Sequence, residues 1–78
     1  MFKFILICDE EKLFDGEVFE VKTETENGII TILDKHQPHM SKISKNITYK
    51  TTETLKNLDF SEGFLYTNGD VCFAVIDK

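Results

Sequence analysis

The stretch "GIITILDKHQPH", Gly28 to His39, gathers most of the residues whose types and spacing could do chemistry in this 78-residue chain. His36 and His39 flank Pro38, the one proline. Imidazoles at i and i+3 share a helix face and could begin a metal site. Pro38 between them opposes a helix, and a closed zinc site takes about four ligands. Only Asp34, scattered glutamates and two distant thiols remain to complete such a set. We therefore read both histidines as polar loop residues and expect no metal.

The other reactive groups are as poorly supported. Ser41, Ser44 and Ser61 lack a G-x-S-x-G elbow around them. The acids fall on strand exteriors and turns, where a solvated carboxylate is the ordinary state. Four isolated glycines mark turns rather than a phosphate-binding loop. Cys8 and Cys72 form no C-x-x-C pair, so they are expected as reduced, largely buried thiols on strands. Nothing here points to an enzyme, a cofactor or a small-molecule substrate.

The elements that must position these residues are strands. Ile, Val, Thr, Phe and Tyr dominate, while Ala74 is the single alanine. Such side chains suit a pleated, half-buried surface. Phe2, Phe4, Leu6 and Cys8 alternate with Lys3, Ile5 and Ile7, so the first strand is apolar on nearly both faces and belongs inside a sheet. "DEEK" turns the chain, and Asp15-Gly16 is a further hairpin signal. Val18, Phe19 and Val21 do not share a period of two, which predicts a bulge near Phe19 or Glu20. Asn27-Gly28 turns into a strand over Ile29–Leu33. Ile47 and Tyr49 share a face, as do Leu58 and Phe60, with Leu55 out of phase. Asn68-Gly69 closes a last hairpin. Asp34–Lys45 is the one window where a helical turn could hide. Regular spacing of short strands predicts an all-β fold: a flattened barrel or sandwich of two mostly antiparallel sheets, with about ten short strands. One domain over residues 1–78 is all the length allows.

Charge narrows the partners. The formal net charge is −5, and all nine basic residues are lysine. Nucleic acid and anionic lipid both require phosphate neutralisation, so neither is expected. No apolar run reaches the roughly 18–20 residues that span a bilayer. The opening "MFKFILICDEE" lacks the small-residue cleavage site of a secretory signal.

Two resemblances extend this reading. Lipoyl carrier domains are also all-β, acidic and of similar length, with Asp-Lys at a hairpin tip. That likeness rests on Asp34-Lys35 and would make Lys35 an acylated residue; "HQPHMSKISK" does not supply the mirror-image strand those domains have next. The broader resemblance is to the N-terminal β domain of the epsilon subunit of F-type ATP synthases. It is carried by "ILICDEEKLFDGEVFEV", by Gly28, Ile32, Leu33, His36 and Pro38 in "GIITILDKHQP", and by Ser61, Gly63, Phe64 and Leu65 in "SEGFLYTNGDVCFAVID". Together these span residues 2–77. Thr31, Asp34 and Lys35 stand where Gly, Pro and Gly are usual, Glu62 replaces a Gly, and His39 replaces a Leu. A stiffer, more charged docking loop follows.

This resemblance implies a non-catalytic rotor subunit of the central stalk. Its partners would be the gamma subunit and the membrane c-ring, with the membrane reached only through protein contacts. The place would be the cytoplasmic face of a bacterial inner membrane. It further implies a c-ring contact through Asn27, Gly28, Ile29, Ile30, Asp34, Lys35, Gln37, Pro38 and His39, gathered at one tip. Cys8, His36, Met40 and Ser41 would face gamma, with an apolar side of the sandwich left uncovered in the isolated chain. Members usually continue into a C-terminal helical hairpin that can block ATP hydrolysis. With the chain ending at Lys78, that hairpin and its inhibition are expected to be absent.

Overall fold

Seven strands follow one another with no helix: β1 Phe2–Cys8, β2 Glu11–Val18, β3 Glu20–Thr25, β4 Gly28–Ile32, β5 His39–Lys50, β6 Leu55–Thr67 and β7 Val71–Asp77. The computed structural model describes residues 1–78. Hydrogen bonding runs in the order β2-β1-β7-β6-β5-β3-β4. Only β1 and β7 pair in parallel; every other neighbour is antiparallel.

This single ladder folds over on itself into two layers. The long β5–β6 hairpin belongs to both. Residues 62–67 of β6 pair with β7, whereas residues 44–50 of β5 pair with β3. The ladder slips between Ser44 and Lys45, where Lys45 adopts a φ of 71°. A bulge bends a strand without ending it. Seven strands therefore stand where about ten shorter ones were expected, because β5 and β6 turn the corner unbroken.

The second corner lies at Phe19. The irregular pattern there is not a bulge within one strand but the place where the chain leaves one layer for the other. β2 pairs with β1, β3 pairs with β5, and the Phe19 N–H donates to the Lys50 carbonyl at 2.8 Å. Asp15-Gly16 also departs from expectation. Both residues lie inside β2, opposite Ile5 and Phe4, and the turn sits at Asp9-Glu10, where both residues have positive φ. Gly16 lies under an aromatic ring rather than in a turn: a Cβ there would lie 3.2 Å from the Phe14 ring, a tight approach.

The core lies between the layers. Phe2, Phe4, Leu6, Val18, Leu65, Cys72, Ala74 and Ile76 from the first layer meet Val21, Ile32, Ile47 and Tyr49 from the second. Phe4, Phe14 and Tyr49 stack across the gap with centroids 4.8–6.0 Å apart. Offset and tilted aromatic contacts of this kind add to the simple burial of apolar area. Buried Thr23 is satisfied through the Asn46 carbonyl at 2.8 Å.

Candidate functional site: an uncovered apolar face

Strand alternation sends every second residue outward, and in the first layer many of those residues are apolar. Ile5 sits opposite Phe73 and Ile7 opposite Val75, while Phe73 and Val75 sit opposite Tyr66 and Phe64. Met40 continues the row opposite Tyr66. Cross-strand partners point to the same face, so these side chains form one surface across β1, β7, β6 and β5. Met40 is 68 % exposed, Phe64 53 %, Val75 49 % and Tyr66 41 %. The Tyr66 and Phe73 rings lie 6.5 Å apart at its centre. Lysines and acids frame it: Lys3, Asp15 and Glu17 toward β2, then Lys42, Glu62 and Asp77 at the far end. A contiguous apolar patch with a charged rim is what a protein interface exposes when its partner is away.

The expected site residues fall in several places. Asn27 and Gly28 lie at the β3–β4 turn, and Asp34 to Pro38 form the β4–β5 loop, at the opposite end of β4. Roughly 14 Å of strand separates them at ~3.4 Å per residue. They do not make one tip; they border the two ends of one edge strand, along which Ile29 is exposed and Ile30 half-buried.

The β4–β5 loop has no helical turn and is held by polar contacts. The Lys35 Nζ lies 3.0 Å from Asp70, and the Met1 amine lies 3.2 Å from Asp34. The hydrogen bond to Asp70 and its charge, with a contribution from Asp34, raise the Lys35 pKa. His36 caps the turn: its N–H donates to the Leu33 carbonyl at 3.1 Å, and its Nδ1 lies 2.7 Å from the Gln37 carbonyl. Gln37 and Pro38 are exposed.

Of the residues expected toward gamma, Met40 lies on the apolar face. Cys8 is buried at the end of β1, its thiol pKa raised by burial and then by Asp9. Ser41 and His39 point inward from β5, opposite Leu65 and Thr67. The Ser41 hydroxyl and the His39 Nε2 are both buried without a protein partner. The His39 ring meets His36 edge-on at 6.2 Å.

Sequence reasoning expected an uncovered apolar side but did not say which residues make it. Their signal was present in "FKFILIC" and "VCFAVID", two segments apolar on both faces. The model of the family "ATP synthase, Delta/Epsilon chain, beta-sandwich domain" matches residues 1–77. The chain belongs to the ATP synthase delta/epsilon family. The family's β-sandwich is the architecture described above.

Solved structures agree on the fold. A chain of the Euglena gracilis mitochondrial ATP synthase, solved as an OSCP/F1/c-ring assembly, superposes with a TM-score of 0.89 at 16 % identity. That match covers 96 % of this chain and 49 % of the other. A chain of the Tetrahymena thermophila mitochondrial ATP synthase central stalk and c-ring gives a TM-score of 0.86 at 10 % identity, covering 99 % and 63 %. This chain thus spans about half to two thirds of those relatives. A search of curated sequences gave no match. The family match leaves the carrier reading of Lys35 without support.

Proposed function

We propose that this chain is a non-catalytic subunit of the central stalk of an F-type ATP synthase, linking the gamma subunit to the c-ring so that both turn together. The observation that carries the reading is the apolar face of Phe64, Tyr66, Phe73 and Val75, exposed beside half-buried Ile5 and Ile7 in a member of this family. Gamma docks on that face. Tyr66 and Phe73 act as central anchors, because buried aromatic side chains dominate interface energies.

The ring meets the flank of β4 and the turns at its two ends. This distributes Asn27, Gly28, Ile29, Asp34, Lys35, Gln37 and Pro38 along an edge instead of a point. Lys35 and Asp34 then set register with polar ring loops more than they add affinity. His36 and Met40 lie at the border between the loop and the gamma face, while Cys8, His39 and Ser41 support the site from inside.

The mechanical role suits the architecture. Two close-packed layers with a common hairpin resist shear, because protein interiors are as dense as molecular crystals. Placement would be peripheral, on the cytoplasmic face of a bacterial inner membrane. Capture of the purified chain by its own gamma subunit tests the reading. One-to-one binding that Phe73→Glu abolishes is the expected result; absence of binding to folded gamma would overturn it.

A further inference from the structure

The two edges of the folded sheet are treated differently by the sequence. An edge strand presents unpaired N–H and C=O groups, and natural proteins guard such rows with charge, proline or bulges. β2 is guarded: it carries Glu11, Lys12, Asp15 and Glu17, all exposed, and its ladder slips opposite Leu6 and Ile7. Lys12 and Lys3 lie 3.0 and 3.5 Å from Asp15 there. β4, "GIITI", has no charge, no proline and no slip in its pairing with β3. Ile29 on it is 66 % exposed, and Leu33 just beyond is 53 % exposed. Its one protection is shortness.

The register shows what the free edge offers. Thr25 and Gly28 pair directly across the Glu26-Asn27 turn. The residues closing a two-residue turn exchange hydrogen bonds, and bonding pairs then alternate. Thr23–Ile30 and Val21–Ile32 are therefore bonded pairs, which leaves the backbone groups of Ile29 and Thr31 pointing away from β3.

We propose that β4 pairs antiparallel with β4 of a second copy of this chain, about a two-fold axis at Ile30. Ile29 then faces Thr31 of the other copy, twice, giving about four inter-chain hydrogen bonds in the narrow-pair geometry. The side chains suit this register. Ile30 meets its own counterpart on the core side, and uncharged Ile29 and Thr31 meet on the outer side. Behind them on β3, Lys22 lies opposite Thr31 and Glu24 opposite Ile29. The two-fold places Lys22 of each copy in the same cross-strand row as Glu24 of the other, so like charges do not confront one another. The strand also carries the ring footprint proposed above, so the dimer is a state of the free subunit that assembly displaces. The pairing itself does not depend on the stalk reading.

Few contacts offset the loss of translational freedom, so a dissociation constant on the order of 0.1–1 mM is expected. Sedimentation equilibrium of the purified chain over a concentration series tests this. The mass should rise from 9.0 kDa toward twice that value. Thr31→Pro removes an outward N–H that β3 does not use, and proline is tolerated on such an edge. Ile29→Lys adds the missing guard. Each variant should weaken the dimer by at least about tenfold while leaving the far-UV spectrum unchanged. A mass fixed at 9.0 kDa throughout the series would overturn the proposal. So would a dimer that survives both variants but dissociates with Phe73→Glu, since pairing would then run through the apolar face.

Discussion

The outer faces of the two layers follow the same alternation and reach opposite outcomes. On the first layer the outward rows are Ile5 and Ile7, Phe73 and Val75, Phe64 and Tyr66. On the second they are Lys22 and Glu24, Asn46 and Thr48, Asn57 and Asp59 at the centre, with apolar Ile29 and Leu55 exposed only at its margins. There Asn46 hydrogen-bonds Asn57 and Asp59 across the strands, and Lys45 lies 3.5 Å from Glu24. The centre of one face is polar and cross-bonded, whereas the centre of the other is apolar. Core formation does not explain the difference, because both layers already bury their inner rows. A contiguous exposed apolar patch on a small domain is a general mark of an interaction surface, which is the basis of the docking proposed above.

Substitutions can break this contrast, and the largest effect should come from the inner row. Phe4 is fully buried, whereas Phe73 is 37 % exposed. Phe4→Ala should cost ~3–5 kcal/mol in urea-monitored unfolding, through lost burial and the cavity left behind. Phe73→Ala should stay within about 1 kcal/mol on the same measurement, as partly exposed positions do. Equal costs at the two sites would show that the outer row already serves folding.

Next in size is binding. Phe73→Glu places a charge at the centre of the apolar face and should weaken gamma capture by ~2–4 kcal/mol, in the range of an interface hot spot. Thr48→Glu on the polar layer should leave titration calorimetry with gamma unchanged. If both variants lost binding alike, the two faces would not differ in role.

A smaller effect sharpens the role of the shared hairpin. A Cβ on Gly63 would lie 2.4 Å from the Val75 carbonyl oxygen and 2.8 Å from the Ile76 side chain. Gly63→Ala must push β6 and β7 apart and should cost ~1–3 kcal/mol, as overpacking does. Because those strands also carry the apolar face, gamma affinity should fall with stability in this variant.

The smallest effect is alkaline. Burial pushes the Cys72 thiol up to about 12 from an ordinary 9.0. The unfolded chain releases that proton first, so it binds fewer protons than the folded chain between those values. Stability should therefore decline as pH rises above about 9. Cys72→Ala should flatten that decline in a pH series of unfolding midpoints, and an unchanged slope would assign it to other groups.

The sequence alone determined that the chain is all-β, where most turns fall, and which family it belongs to. These are local properties: β-branched and aromatic residues, Asn-Gly and Asp-Glu turns, and motifs in order along the chain. It also indicated that Ile47 with Tyr49, and Leu58 with Phe60, share faces. Asp15-Gly16 misled because a turn dipeptide is equally compatible with a strand, here one where Gly16 lies close under the Phe14 ring. Strand count, the site's division between the two ends of β4, and the inward turn of Ser41 and His39 were decided by the tertiary structure. So was the choice of apolar row in β1 and β7. Period-two alternation says that two rows exist, but burial depends on which face meets the other layer. That is fixed only when the β5–β6 hairpin bends at Lys45 and the chain crosses at Phe19, contacts made between residues far apart in sequence.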